Sequence, residues 1–539
     1  MHAQWNYADI WEQIADRFGD AAALLHGSTT RTWHDLDRRA DGIAAVLLES
    51  GLQRQDKVAQ YCRNRPEYLE SMLAAFKASF VPVNTNFRYG DEELEYLWTD
   101  SDTAAVVFDA EFTDTCDRLR KALPAVRAWI RVAQRGDDCP DWAIAYDDAA
   151  SSAAVTHRTR APWGRSGDDL NLLYTGGTTG MPKGVMWPQH DFFLMIEHQY
   201  GRNPPEEADL DKYLGRITKP GPRVLPGPPL MHGTACWFAM AALSAAGSVV
   251  TLTKPHFDAV ELLDTVVDRQ AKGVCIVGDP FAKPILAELD ANPGRWDLGH
   301  VRLIMSSGAM LSRESKERLV RHAPGARVVD GLGSSESGSL GTAVTTSPGE
   351  AATARFRLGE NVRVVDDSGE DVVPGSGTAG RLAVGGYLPL GYYGDPAKTA
   401  STFVTLADRR YVIAGDWATV DVDGTITLLG RGSGCINTAG EKVYPEEVEE
   451  VLKRAAGVRD AAVVGVPDER FGEAVVALVE LEPDTTFDEA GLIVHSKSHL
   501  ASYKAPKAVL HVKAIARHAN GKMDYPAMKD EALSRVKRS

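Results

Sequence analysis

The sequence predicts an α/β protein: a large N-terminal body of βα units in parallel sheets with a small antiparallel β-barrel, followed by a small α+β C-terminal domain. Three observations carry this. Helical periodicity alternates with short β-rich runs from Trp33 to Met305, strands punctuated by Asp-Gly and Ser-Gly turns fill Leu358 to Gly430, and a G-S-G run then precedes a compact mixed segment. A length of 539 residues suits such a plan, since about 150 residues per domain gives three or four domain-sized units.

In order, Trp33 to Gly51 carries Leu36, Ile43, Leu47 and Leu48 at helical spacing, and Lys57 to Cys62 follows as a strand. Pro66 to Ser79 is predicted helical and Phe80 to Asn84 extended, and further strands are expected at Val249 to Thr253, Val274 to Val277 and Val301 to Met305. Repeated βα alternation implies helix-covered parallel sheets, with ligands beyond the carboxyl ends of the strands. The runs V-R-V-V-D-D-S-G, G-R-L-A-V-G-G-Y and T-V-D-V-D-G-T-I-T-L-L-G then read as a barrel or sandwich over residues 345–432. A boundary near Ser433 separates a body of residues 1–432 from a C-terminal domain of residues 433–539. There a helix is expected to start at Pro445, with Val448, Val451 and Leu452 on one face, before strands near Ala461 to Val466 and Val475 to Leu481.

Composition narrows the functional classes. Apolar residues make up 44% and charged residues 25%, with mean hydropathy −0.23, as in a soluble globular protein with several cores. Lys and Arg number 59 against 74 Asp and Glu, and a net charge of −15 argues against the broad basic surface of a non-specific nucleic-acid binder. Any anionic ligand must therefore meet local positive potential. One candidate source is Lys497 to Ser539, with ten Lys or Arg against three Asp or Glu, which reads either as a solvated basic tail or as a landing site for a polyphosphate.

The six cysteines lie far apart without a C-x-x-C pair, so a reducing cytoplasm is expected. Met1 to Phe18 lacks the apolar run of a signal peptide. Trp237 to Val250, at 14 residues, falls short of the about 20 that a membrane span needs and reads as a buried helix followed by a strand.

The strongest chemical signal is Y-T-G-G-T-T-G-M-P-K-G, Tyr174 to Gly184. Gly176, Gly177 and Gly180 let the backbone approach an anion, Thr175, Thr178 and Thr179 add hydroxyl donors, and Lys183 supplies a point charge. This is a phosphate cradle, and it is not a Walker A loop, because Lys183 is followed by Gly184 in place of Ser or Thr.

With this loop the sequence resembles the adenylate-forming superfamily of acyl-CoA synthetases, peptide-synthetase adenylation domains and firefly-type luciferases, over nearly the whole chain. Further segments match in the family's order: S-S-G-A-M-L with Gly308 and Ala309, D-G-L-G-S-S-E from Asp330 to Glu336, Ala414-Gly415-Asp416, Gly430-Arg431, T-A-G-E-K-V-Y-P-E-E-V-E from Thr438 to Glu449, and N-G-K-M-D-Y around Lys522. The resemblance implies two parallel-sheet subdomains and a mobile C-terminal lid. It also implies an ATP site of the phosphate loop, Gly308, Ala309, Asp330, Gly331, Leu332, Gly333, Ser334 and Ser335, with Asp416 accepting the ribose hydroxyls and Arg431 near them.

Activating a carboxylate by attack on an α-phosphorus joins two anionic groups, so the site must neutralise developing charge. Lys522 can bridge the carboxylate and phosphate oxygens, Lys183 and the threonines can hold the outer phosphates, and Glu336 offers the hard oxygen ligand that Mg²⁺ takes. The resemblance further implies that the lid rotates about Ser433 and exchanges Lys522 for a face of Gly440, Glu441 and Lys442 that admits the pantetheine of CoA. His232, in P-L-M-H-G, is expected between the ATP site and the acyl pocket, with Trp237, Met240, Gly278 and Asp279 as pocket residues. For Trp237 and Met240 core packing is the stronger reading, and for Asp279 a helix cap before Pro280.

Three departures stand out. Leu332 replaces the usual adenine-stacking aromatic, Ser433 replaces the hinge Asp or Lys, and Ala414 replaces a threonine. The expected activity is an ATP- and Mg²⁺-dependent acid-CoA ligase for a fatty or bulky alicyclic, sterol side-chain acid, releasing AMP and pyrophosphate. Rival readings are an acyl-AMP ligase loading a carrier protein, a luciferase-like oxygenase supported by analogy alone, and a non-catalytic nucleotide-binding homologue. A homo-oligomer is left open.

Overall fold

A computed structural model describes residues 3–133, 137–151, 157–177, 180–431, 436–438, 441–468, 472–500, 502–517 and 523–536. The chain divides into two compact units, Met1–Thr353 with Gly385–Val412, and Ala354–Val384 with Ile413–Ser539.

The first unit holds two predominantly parallel sheets. One runs in the order Gly391–Tyr392, Gly180–Pro188, Leu170–Gly177, Val81–Asn84, Lys57–Tyr61, Thr103–Asp109, Ala128–Val132 and Ile144–Ala145. Its pairs are parallel from Leu170–Gly177 onward and antiparallel at the other edge. The second runs Thr29–Thr32, Ala22–His26, Ser248–Thr251, Arg223–Pro226, Gly273–Ile276, Leu303–Ser307, Arg327–Ser334 and Gly338–Thr345, parallel between its terminal antiparallel pairs. The central strands carry apolar residues on both faces, as parallel strands covered on both sides do. Val58, Ala59, Val106 and Val107 are buried in one sheet, Val274, Cys275, Ile304 and Met305 in the other.

The helices follow the sequence signals. Trp33–Glu49 starts on a capping box, in which Thr32 Oγ1 accepts from Asp35 N at 3.1 Å while Asp35 accepts from Thr32 N at 3.1 Å. Its Leu36, Ala40, Ile43, Ala44 and Leu47 are buried. Pro66–Lys77 has proline at its first turn, where the missing N–H leaves no carbonyl unpaired, and is buried along its length. Its last residue, Lys77, is fully buried and has its ammonium 2.9, 2.6 and 2.8 Å from Glu12, Asp37 and Asp41. The apolar stretch after His232 forms the helix Gly233–Ser244 and the strand Ser248–Thr251, as expected. Among the described residues no helix is long and apolar enough to cross a membrane.

The second unit contains antiparallel strands and the C-terminal α+β segment. Arg355–Leu358, Thr425–Arg431, Asp416–Val420, Ala379–Val384 and Val362–Val365 pair in that order, all antiparallel. Their turns use the expected chemistry: Asp366 accepts from Ser368 N at 2.8 Å, with Gly369 at φ +88° and Gly424 at φ +78°. The C-terminal segment pairs Val458–Asp468 antiparallel with Gly472–Leu481, which pairs parallel with Ala508–His511. The helix Pro445–Lys453 buries Val448, Val451 and Leu452.

Gly385–Val412 belongs to the first unit, where Gly391 pairs with Met186 and Tyr392 with Val185, and the remaining strands group with the C-terminal segment. The expected boundary at Ser433 lies outside the described residues.

Candidate functional site

The phosphate-cradle motif is an antiparallel hairpin. Leu170–Gly177 pairs with Gly180–Pro188, with Thr175 opposite Lys183 and Gly177 opposite Gly180. Opposed residues of an antiparallel pair share a face, so Thr175 and Lys183 project together. Thr178 and Thr179, between the strands, lie outside the described residues.

The hairpin is fastened on all sides. Tyr174 donates its hydroxyl to Asp100 at 2.6 Å, and burial together with that carboxylate pushes the phenol well above its ordinary range. A side chain at position 184 would meet the Tyr174 ring at 2.7 Å, so glycine is required there. Trp187 Nε1 donates to Ser335 O at 2.9 Å and so joins the hairpin to the segment Asp330–Glu336.

The Gly391–Asp395 segment adds two contacts that the sequence reading missed. Tyr392 donates its hydroxyl to Glu336 Oε1 at 2.8 Å, and Asp395 Oδ2 holds Lys183 Nζ at 2.7 Å. Lys183 keeps the Asp395 carboxyl below its ordinary range. Tyr393 secures the segment: its N–H donates to Gly184 O at 2.8 Å and its hydroxyl lies 2.7 Å from both Lys57 Nζ and Asp102. Glu336 and Lys183, far apart in sequence, are thereby bridged by one short segment, Tyr392 to Asp395. The signal that could have found it is the Y-Y-G-D run itself, two hydrogen-bonding aromatics and an acid on a turn.

The remaining nucleotide and acyl candidates of the first unit cluster at the carboxyl ends of parallel strands, as open α/β sheets dictate. Gly308 follows Leu303–Ser307 and takes φ +90°. Gly278, at φ +53° after Gly273–Ile276, packs its backbone on the same loop: a Cβ there would lie 2.4 Å from Met310 O and 2.8 Å from Ala309 C. Gly278 N also donates to Ser306 Oγ at 3.0 Å. In the next strand Ser306 pairs with Asp330 and Ser307 with Gly331. Leu332 is half-buried, and Gly333 must be glycine because a Cβ would lie 2.3 Å from Gly338 O. Ser334 N donates to Ser337 Oγ at 3.1 Å.

Further candidates have their surroundings set by the fold. Asp330 pairs with Lys316 at 2.7 Å, both side chains buried. Asp279 neither caps its own helix, whose cap position is Val277, nor stands open: its Oδ1 accepts from Ser312 N at 3.0 Å and Ser312 Oγ at 3.1 Å. It thus anchors the first turn of the next helix. Met240 has no exposed surface and packs in the core, whereas Trp237 retains 8% and meets Phe192 edge-on at 5.6 Å.

His232 is half-buried, sits at the N-cap of Gly233–Ser244 and donates its N–H to Pro229 O at 3.0 Å. Its loop adjoins the hairpin, since a Cβ on Gly233 would lie 3.3 Å from Leu173 Cδ2. Asn84, also missed, bonds Tyr174 and Met231 at once.

In the second unit Asp416 is buried and opposite Arg431 in the strand register, after Gly415 at φ +100°. Glu441 and Lys442 lie in the strand Glu441–Val443, opposite Thr438 and Asn437. Ser433, Gly440 and Lys522 lie outside the described residues.

Glycine-rich backbone facing a lysine at the ends of parallel strands is the architecture of a nucleotide-binding α/β protein. The chain belongs to the AMP-binding enzyme family: the AMP-binding enzyme model matches residues 11–393, and the AMP-binding enzyme C-terminal domain model matches residues 447–522. It is similar to a medium/long-chain-fatty-acid–CoA/3-oxocholest-4-en-26-oate–CoA ligase of Mycolicibacterium smegmatis, 38% identical over 97% of this chain and 96% of that protein. A 3-oxocholest-4-en-26-oate–CoA ligase of Rhodococcus rhodochrous is 38% identical over 98% of this chain and 96% of that protein. The ATP-bound structure of MatB from Rhodopseudomonas palustris superposes with a TM-score of 0.80, at 28% identity, over 98% of this chain and 100% of that one.

Proposed function

We propose that the protein is an ATP-dependent carboxylic acid–CoA ligase acting on medium- to long-chain fatty acids or bulky sterol side-chain acids. The observation that carries this is the bridge by which Tyr392 and Asp395 hold Glu336 and Lys183 beside one glycine-rich hairpin. Support for the acid class comes from the whole-length similarity to relatives named for those acids.

In the first step a carboxylate oxygen attacks the α-phosphorus of ATP, the bond to the β-phosphate oxygen breaks, and acyl-AMP and pyrophosphate result. Thr175 and Lys183 hold the outer phosphates, Lys522 meets the charge between carboxylate and α-phosphate, and His232 orients the acid. Asp416 accepts the ribose hydroxyls. The Glu336 carboxylate, oriented by the Tyr392 hydroxyl, is the hard donor that suits Mg²⁺, an ion that takes one or two carboxylates together with substrate phosphates. When bound, the ion would offset phosphate charge. In the second step the CoA thiol loses its proton as sulfur attacks the acyl carbon, AMP leaves, and Gly440, Glu441 and Lys442 line the approach.

The test is pyrophosphate release over a panel of carboxylic acids, with and without CoA, followed by mass analysis. Acid-dependent release with acyl-CoA formed only when CoA is present is the expected result. Acyl-AMP that never becomes a thioester would point to another acceptor, such as a carrier protein.

A further inference from the structure

We propose that Asn84 is a positioning residue which, together with Asn64, ties the phosphate hairpin to the His232 loop. The nucleotide and acyl halves of the site then keep a single register; this rests on the ligase reading above.

The loop that carries His232 runs P-G-P-P-L-M-H-G from Pro226 to Gly233, and its three prolines remove backbone donors, so no strand ladder can hold it. Two side-chain amides from the neighbouring sheet take over. Asn64, just beyond Lys57–Tyr61, accepts from Leu230 N at 2.6 Å and donates to Pro228 O at 2.9 Å. Asn84 ends the adjacent strand Val81–Asn84, which pairs with Leu170–Gly177 through Val83 and Leu172. Past that point its amide replaces the ladder: Oδ1 accepts from Tyr174 N at 2.6 Å, and Nδ2 donates to Tyr174 O at 2.8 Å. The second Nδ2 hydrogen goes to Met231 O at 2.7 Å.

The amide offers two hydrogens and an oxygen with two lone pairs, and here both hydrogens and one lone pair are used. Tyr174 immediately precedes Thr175, and Met231 immediately precedes His232. A single buried amide thus fixes the backbone next to a phosphate-binding hydroxyl and next to the acid-orienting histidine. Aspartate would aim oxygens at two carbonyls, and glutamine would displace the amide by a methylene.

The test uses the full-length chain and the variants Asn84→Ala, Asn84→Asp and Asn64→Ala in acid-dependent pyrophosphate exchange. Asn84→Ala should raise the KM for ATP and the KM for the acid together, each roughly tenfold, as expected for loss of buried hydrogen bonds that hold reacting groups. Asn64→Ala should raise the acid KM alone. On a His232→Ala background, the effect of Asn84→Ala on the acid KM should shrink to about twofold while its effect on the ATP KM persists. A residue that only supported the fold would lower the active fraction and leave both KM values in place.

Hydrogen exchange on the nucleotide-free protein supplies an activity-independent readout. Asn84→Ala should accelerate exchange at residues 174–177 and 231–237 together, and Asn84→Asp, nearly isosteric, serves if the alanine variant does not fold. Acceleration confined to residues 81–84, or KM values that move separately, would overturn the proposal. A wild-type protein without acid-dependent exchange but with the coupled hydrogen-exchange response would overturn the ligase reading alone.

Discussion

Replacing Lys316 by methionine should destabilise the first unit while leaving its binding groups in place. Lys316 lies on the helix Arg313–His322 with 1% of its side chain exposed, 2.7 Å from Asp330 Oδ2, itself 5% exposed, and also donates to Ala352 O at 2.8 Å. Methionine keeps the aliphatic stem and removes the ammonium, which takes from a buried carboxylate the charge paired with it at 2.7 Å. Breaking such a pair from one side costs about 3–5 kcal/mol. The unit holds roughly 380 residues, for which an unfolding entropy of about 2.1 cal/mol/K per residue gives roughly 0.8 kcal/mol per kelvin. Scanning calorimetry of the full chain should therefore show that unit's midpoint falling by roughly 4–6 °C. Lys316→Met with Asp330→Leu removes both charges and should recover most of the loss. Asp330→Asn alone should lower the midpoint and change the KM for ATP by less than about threefold. The reasoning fails if Asp330→Asn raises the KM for ATP manyfold at an unchanged midpoint, because Asp330 would then be a nucleotide contact and its ion pair incidental.

Asp395→Asn should lower the KM for ATP by a factor of about two to five in steady-state kinetics, because it frees Lys183 from a competing carboxylate while asparagine still caps the helix at Lys398 N. A rise would show that Asp395 aims Lys183. Lys522→Ala should block pyrophosphate release yet largely spare thioester formation from supplied acyl-AMP, and Gly440→Leu should do the reverse; equal damage to both steps by either change would refute separate roles. Burial pushes the Glu449 carboxyl up to about 8, although it accepts from Val463 N at 2.8 Å and from the Tyr525 hydroxyl at 3.2 Å. The folded chain then keeps a proton that the unfolded chain releases above about pH 4.5, so stability falls as pH rises from about 4.5 to about 8, by at most about 1.4 kcal/mol per pH unit. Glu449→Gln should flatten that slope in hydrogen exchange over residues 445–466 of the full chain, and an unchanged slope would assign it to another group.

The legible parts of the fold are those whose cause is local. The capping box at Thr32, the proline opening Pro66–Lys77 and the Asp-Gly turns each state their structure within four or five residues. The parallel strands were legible from continuous apolar runs bounded by turns. The hairpin motif was legible because close approach of an anion to the backbone calls for glycine, a signal that Gly176, Gly177 and Gly180 carry within five residues. Partnerships between distant segments were not. Lys183 with Asp395, Tyr392 with Glu336 and Lys316 with Asp330 are fixed by packing of elements that share no sequence neighbourhood. Asp279 shows the same limit: the sequence offered a cap for its own helix, and the fold uses it on Ser312.

That division explains why the site reads as it does. Residues that contact a ligand are constrained by the ligand's chemistry, which is general, and so glycine, threonine, lysine and glutamate recur in an order that signals a nucleotide. Residues that aim them answer to the shape of this fold. A buried asparagine at the end of a strand, or a tyrosine on a two-residue edge strand, carries no such signature until the sheet order is known. The Gly278 backbone lies against the main chain of Ala309 and Met310 and donates to Ser306 Oγ, so the loops that follow Gly273–Ile276 and Leu303–Ser307 meet through main chain and one hydroxyl. A change in the Gly278 loop is therefore passed directly to the Gly308 loop, just as the Asn84 amide passes a change between the Tyr174 and Met231 backbones.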